Sequence, residues 1–246
     1  SRRRHTRCSR DWSSDVCSSD LSLRLIKDFI NIHNFKYLEI IFINDGSFDQ
    51  SNNLINSFIK KTKFKKKVKI VLFKNFINKG KGFSLKKGVA LSSAEWILTL
   101  DIDMSVKLNQ LYKWQKKNFI TKKYSVYFGS RNHKNSKIKS IQLRVILGFF
   151  FKILILYLFN IKLTDTQCGF KLYESYFGKK IFTKLKSNRF VHDVEIVLIS
   201  NQMKILIKEL PVNWIHKNDS KVNIIKDIFI MFWDLLMIKK RFLNRI

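Results

Sequence analysis

The chain has one proline and eight glycines in 246 residues. That scarcity excludes a collagenous or loop-dominated protein. Three cysteines exclude a disulfide scaffold and fit a reducing compartment. Acid is scarce too: 18 Asp and Glu stand against 48 Lys and Arg, for a net charge of +30. Such a chain should seek polyanions, whether nucleic acid, phosphates or an anionic membrane face. Apolar residues, by contrast, are plentiful. They make up 46% of the chain, which excludes intrinsic disorder. A mass of 29.3 kDa suits one α/β domain with a real core.

Composition changes at Leu21. Residues 1–20 hold five Arg and two of the three Cys, and contain no Lys, Ile, Phe or Asn. The segment lacks an apolar run, so it is not a signal peptide. It reads as a translated adaptor fused to a truncated frame, with a basic N-terminal arm as the other reading. Residues 1–20 are therefore expected to be non-native, and Cys8 and Cys17 to carry no function. The remainder is rich in Lys, Asn, Ile and Phe, the bias of an AT-rich genome. The run Lys60–Lys67 is accordingly read as a solvated helix end and loop ahead of a nucleic-acid patch.

Along the body, helical and extended patterns alternate. Helices are expected over 22–35, 50–61, 83–92 and 106–119. Short apolar strands are expected over 38–43, 68–73, 96–100, 124–129 and 205–215. That alternation predicts a mostly parallel, doubly wound sheet, with ligands at the carboxyl ends of its strands. Residues 141–161 are strongly apolar, with Arg144 and Lys152 the charges. Lys152 makes a full membrane span costly, about 2.5–3.5 kcal/mol. A helix in the membrane interface and a buried core helix both fit. Residues 224–238 are similar, and Lys239, Lys240 and Arg241 follow them.

Two acidic motifs fall at expected strand ends: Asp45, and Asp101 with Asp103. In extended chain, residues two apart point the same way, so Asp101 and Asp103 can share a hard divalent cation, Mg²⁺ or Mn²⁺. Asn78-Lys79-Gly80-Lys81-Gly82 opens a helix, where backbone N–H groups favour anions. It is not a Walker A loop, because Gly-Lys-Ser/Thr is absent.

In order and spacing, Asn44-Asp45-Gly46-Ser47-Phe48-Asp49, NKGKG and WILTLDID resemble family 2 glycosyltransferases. Gly129-Ser130-Arg131, Asp165-Thr166-Gln167-Cys168-Gly169-Phe170-Lys171, Asp193-Val194-Glu195 and Ser220-Lys221-Val222 resemble the branch that transfers a hexose to a polyprenyl phosphate, the dolichyl-phosphate glucosyltransferases above all. The resemblance spans about residues 22–240 and implies a GT-A, Rossmann-like fold over 21–246. Interface helices would lie near 141–161 and 224–241. It implies a nucleotide-sugar donor such as UDP-glucose and a polyprenyl-phosphate acceptor. The enzyme would act by inversion on the cytoplasmic face of a membrane, with no nucleic-acid partner. Asp45, Gly46, Ser47, Asn78, Gly80, Lys81 and Asp101 would line the donor. Asp101 and Asp103 would hold the metal, and Gln167 would lie near the sugar. Asp193, with Glu195, would either orient acceptor-side groups or only pair with surplus lysines, and Arg131, Arg144 and Lys221 would seat the acceptor phosphate. His192 is expected to be structural or exposed, and Cys168 to be a packed residue, not a nucleophile.

Two features depart from the family pattern. Asn44 stands where the family has Asp, and the family's first strand is missing. Loss of that central strand should expose the edges of both neighbours, so the chain as written is expected to fold poorly or lack activity. The rival readings are a basic nucleic-acid-binding protein and a non-catalytic membrane-surface protein. No recognised DNA- or RNA-binding motif supports the first.

Overall fold

A computed structural model describes residues 14–33, 35–47, 49–62, 67–139, 142–216 and 224–243. The chain opens with helix α1 (Ser14–Ile32), which runs straight across the change in composition at Leu21. Strand β1 (Leu38–Asn44), helix α2 (Ser51–Lys61), strand β2 (Val68–Lys74), helix α3 (Lys81–Leu91) and strand β3 (Trp96–Thr99) follow. Helix α4 (Asn109–Lys116), strands β4 (Val126–Ser130) and β5 (Lys137–Lys139), and helix α5 (Gln142–Phe159) come next. The last part holds β6 (Lys171–Glu174), α6 (Ser175–Lys184), α7 (His192–Gln202), β7 (Ile207–Pro211), β8 (Asn213–Ile215) and α8 (Ile224–Leu243).

Among the described residues the main sheet is in two pieces. β1 pairs in parallel with β2 over seven residues. The other piece has the order β3-β6-β4-β7. There β4 and β7 are parallel, and β6 runs against both of its neighbours, β3 and β4. The expectation of mostly parallel strands therefore holds with one reversal, at β6. Among the described residues, β1 and β3 each have a strand partner on one edge only. The strand LEIIFI, read as buried, is accordingly half-buried, and of its residues only Phe42 is fully covered. A strand without a neighbour on one side leaves the flanks of its side chains uncovered.

Packing explains the other differences from the sequence pattern. α1 buries Leu23, Ile26, Phe29 and Ile30 at helical spacing, whereas Ile32 is 69% exposed at the helix end. The helix expected over 106–119 shortens to α4. Val106 is taken by a bridge to Trp214, and Asn118 turns left-handed (φ 52°) just past the end. The strand expected over 205–215 divides at Pro211. Having no N–H, Pro211 ends the β7 ladder, and β8 joins β5 instead. The Pro211 carbonyl accepts from both Trp114 Nε1 (2.8 Å) and Gln110 Nε2 (3.0 Å). Lys60, Lys61 and Lys67 are exposed, as expected, and the centre of that lysine run lies outside the described residues.

The largest core gathers Val126, Phe128, Tyr173, Ile181 and Phe182 with the buried sides of α5, α7 and α8. α1, α2 and the β1–β2 pair form a separate cluster that reaches Met104. Amide exchange should record this division. Backbone amides of β4 and β6, paired on both sides, are expected to exchange at least about tenfold more slowly than those of β1. Hydrogen–deuterium exchange read by mass spectrometry checks this, and equal protection across the strands would contradict the split sheet.

Candidate active site

Four segments converge here: the turns after β1 and β3, the NKGKG loop after β2 and the DTQCGFK loop leading into β6. The first is the turn after β1. Asn44 is buried there, and its amide is used twice. Its Oδ1 accepts from Ser47 N (2.8 Å), while its Nδ2 donates to Asn52 Oδ1 (2.7 Å). A carboxylate could make the first bond but not the second, which gives Asn44 a physical role of its own. Gly46 sits at φ 76°, and a Cβ on it would stand 2.6 Å from the Ile77 carbonyl carbon. The NKGKG loop is thereby packed directly onto this turn.

Asp45 then secures the NKGKG loop. Its carboxylate accepts from Lys79 N (3.0 Å), Gly80 N (2.7 Å) and Asn75 Nδ2 (2.8 Å). Burial raises its pKa, but these hydrogen bonds outweigh burial and hold it below the usual range. Gly80, at φ 96°, begins α3, and the backbone of Asn188 lies where its side chain would be. Lys81 follows, and its Nζ lies 2.7 Å from Asp101 Oδ1. Burial opposes the Lys81 charge, while Asp101 and Asp193 sustain it and raise its pKa.

Asp101 and Asp103 lie just past β3 and line one cleft with Ser105, Gly169 and Trp214. The segment is not extended, as the sequence implied, but a turn closed by Met104 N to Asp101 O (3.1 Å). Met104 is buried and held at φ 53°, a strained setting for a residue with a Cβ. The two carboxylates still reach the same cleft because the turn, not alternation along a strand, brings them there. Asp103 accepts from Ser105 N and Ser105 Oγ, both at 2.9 Å, which fixes its rotamer.

The last segment is DTQCGFK. Arg131 forks onto Asp165 through Nε (2.7 Å) and Nη2 (2.8 Å), and its own backbone N–H adds a third bond (2.9 Å). The same guanidinium lies 5.8 Å from the Trp214 ring centre. Burial would raise the Asp165 pKa, but Arg131 holds it below the usual range. Glu209 pins the loop from beneath, accepting from Thr164 N, Thr164 Oγ1 and Asp165 N. Gln167 Nε2 is buried without a hydrogen-bond partner. Cys168 is packed away, with its thiol pushed up to about 11 by burial, as expected of a structural cysteine.

Asp193 and Glu195 both fall in the first turn of α7, and each has its own partner. Asp193 takes Lys171 Nζ at 2.7 Å, while Glu195 takes Arg241 Nη1 at 3.1 Å and Ser187 N at 2.6 Å. His192 is fully buried, with Nδ1 2.8 Å from the Arg189 carbonyl oxygen. Arg144 lies in the first turn of α5, but its side chain is outside the described residues, and so is all of Lys221. Lys171, Glu209 and Ser105 went unremarked in the sequence. In the sequence Lys171 is only the last residue of DTQCGFK, and nothing there marks Glu209 or Ser105 as neighbours of the site. Among the described residues, no group of three or more His, Cys, Asp or Glu could hold a metal ion.

Residues 20–182 match the model of glycosyl transferase family 2. The chain belongs to that family. It is 32% identical over 219 residues to a dolichyl-phosphate beta-glucosyltransferase of Dictyostelium discoideum, covering 85% of this chain and 64% of that protein. It is also 32% identical over 225 residues to the Homo sapiens protein of the same name, covering 84% and 64%. The chain thus spans about 64% of the length of these relatives. Among solved structures, glucosyl-3-phosphoglycerate synthase from Mycobacterium tuberculosis, in complex with Mn²⁺ and UDP-glucose, matches with a TM-score of 0.60. The identity is 11%, over 88% of this chain and 75% of that one. A mannosyltransferase from Pyrobaculum calidifontis matches at 0.53, with 11% identity, over 83% and 54%. These likenesses show the GT-A fold in this family 2 chain.

The buried carboxylates make the site sensitive to acid. Asp165 and Asp193 both have depressed pKa values when folded, so their contribution is full above about pH 5 and is lost as pH falls below about 4. Arg131→Met strands Asp165 in a buried position, which should cost about 3 kcal/mol at pH 7. Its carboxyl then favours the protonated form, so that term changes sign and the variant loses less stability between pH 6 and 3 than the parent does. Urea unfolding at several pH values checks both effects, and parallel pH profiles would contradict the assignment.

Proposed function

We propose that this glycosyltransferase moves glucose from UDP-glucose to a polyprenyl phosphate of the dolichyl type, with inversion at the anomeric carbon. The observation that carries the reading is the turn after β3, which presents Asp101 and Asp103 to one cleft beside Lys81 and the DTQCGFK loop. The dolichyl-phosphate beta-glucosyltransferases named above support the choice of acceptor and sugar.

The donor set fits a hard divalent cation. Mg²⁺ is commonly held by one or two carboxylates plus substrate phosphates, and this cleft offers two carboxylates, Asp101 and Asp103. Asp103, with Asp101, would hold Mg²⁺ or Mn²⁺, which when bound neutralises the charge of the diphosphate leaving group. The rest is done by the protein. Asp45 fixes the NKGKG loop so that the backbone from Gly80 to Gly82, at the start of α3, faces an anion. Gly46 and Ser47 shape the wall against which the nucleoside rests, next to Asn78. Lys81 is free to exchange Asp101 for a phosphate oxygen, because both are anions within its reach.

The acceptor needs a cationic seat more than a base. A phosphate monoester has a second pKa of about 6, so its nucleophilic oxygen is already ionised at pH 7. Asp165 orients the Arg131 fork over Trp214, where it can meet that phosphate. Asp193 is buried and ion-paired with Lys171, which supports a role in holding neighbouring groups in place.

A membrane surface suits the lipid acceptor. α5 exposes Phe150, Ile153, Leu156 and Tyr157, and α8 exposes Phe229, Phe232, Trp233 and Met237, while the opposite sides of both helices sit in the core. Lys152, Lys239, Lys240 and Arg241 flank these apolar faces. Among the described residues, no helix is long and apolar enough to cross a membrane.

The test is glucose transfer from labelled UDP-glucose to dolichyl phosphate in vesicles, with Mn²⁺ present. Asp103→Ala should reduce turnover by at least about a hundredfold while leaving the circular dichroism unchanged. Undiminished transfer by that variant would overturn the reading, as would tight, salt-sensitive RNA binding with no transfer.

A further inference from the structure

Lys171 is an unusual lysine. Its side chain is 3% exposed, and its backbone pairs with Thr99 of β3 on one side and Phe128 of β4 on the other. A buried cation persists only where charge and hydrogen bonds compensate it. Two partners do so here: Asp193 Oδ1 at 2.7 Å and the Cys168 carbonyl oxygen, also at 2.7 Å. The Phe128 ring lies beneath, 4.8 Å from ring centre to Nζ. The ammonium thus joins the start of α7 to the tip of the DTQCGFK loop.

The residue after that carbonyl is Gly169. A Cβ built on it would stand 2.2 Å from Asp101 Oδ2 and 2.6 Å from Asp101 Cγ. The Gly169 backbone is therefore the wall against which the Asp101 carboxylate rests. The other end of the turn is held by Gly129 N donating to Phe170 O (2.9 Å). Asp103 is fixed separately by Ser105. The spacing of the two carboxylates consequently depends on where the 168–169 peptide is kept, and Lys171 keeps it.

We propose that Lys171 is a positioning residue for the Asp101–Asp103 pair, holding Gly169 against the Asp101 carboxylate through the Cys168 carbonyl and anchored in turn by Asp193. This deepens the metal reading given above and rests on it. It assigns Lys171 a role at a distance from any substrate, set by geometry and not by its charge in the cleft.

Mn²⁺ binding in the presence of UDP, followed by electron paramagnetic resonance, tests the proposal without relying on turnover. Lys171→Met alone strands Asp193, so the informative variant is Lys171→Met with Asp193→Asn, which removes both buried charges together. Its Mn²⁺ dissociation constant should rise about tenfold or more, the usual scale for groups that orient metal ligands. Its far-ultraviolet circular dichroism should stay unchanged, which a general loss of structure would not allow. Gly169→Ala keeps the Lys171–Asp193 pair and displaces only the Asp101 carboxylate, so it should weaken Mn²⁺ to a similar degree. Normal Mn²⁺ affinity in the double variant overturns the role of Lys171, and normal affinity in Gly169→Ala overturns the contact through which it acts. If the unaltered chain binds no Mn²⁺, the metal reading falls first and this inference falls with it.

Discussion

A carboxylate at the end of β3 has to stay correctly aimed in a protein of net charge +30. Asp101 meets that constraint by resting against a glycine on one side and pairing with Lys81 at 2.7 Å on the other. The ion pair keeps the negative charge compensated when the cleft holds no ligand. It is also reversible, because both partners are partly open to solvent and such pairs are worth little on their own. In the proposed reading, Asp101 would help hold a divalent cation, and Lys81 would then be available to a phosphate. The surrounding loops can be read as the means of keeping that exchange possible.

Acid is rare in this chain, and near the site nearly every carboxylate holds a loop in place. Asp45 holds the NKGKG turn, Asp165 orients Arg131, and Asp193 anchors Lys171. Glu195 ties residues 186–187 to Arg241 of α8, and Glu209 supports Thr164 and Asp165. Buried charges with good hydrogen bonds fix geometry more than they stabilise. The lysines that create the large net charge are mostly elsewhere and solvated, as along the end of α2. The basic balance thus says little about the chemistry, whereas the few acids locate it.

Much of this was legible in the sequence. Apolar runs ending in Asn44-Asp45 and at Asp101 placed both motifs at strand ends, and the structure has them there. The helical spacing of Leu25, Ile26, Phe29 and Ile30 marked α1 correctly. The reversal of β6 was not legible, because a four-residue strand in a buried layer carries no signal of direction. Nor was α7, HDVEIVLISNQ, which is buried on nearly every side and so has no amphipathic stripe. The turn at Asp101–Met104 was read as extended chain because alternation is the default for residues following a strand. A left-handed Met104 cannot be foreseen from residue type. The acidic partners of Arg131 and Lys171, Asp165 and Asp193, lie more than twenty residues away and become neighbours only in the folded protein.

The break between β1 and β3 bears on how rigid the site can be. These strands carry Asp45 and Asp101, and among the described residues no strand joins them. What links the two halves is the side-chain and loop packing just described, with Lys81–Asp101 at its centre. The most direct test of the account is a crystal of this chain soaked with Mn²⁺ and UDP, with the ion located by anomalous scattering. The account predicts a peak between the carboxylates of Asp101 and Asp103, with Lys81 Nζ withdrawn from Asp101. A peak remote from both carboxylates, with the Lys81–Asp101 pair still closed, would contradict it.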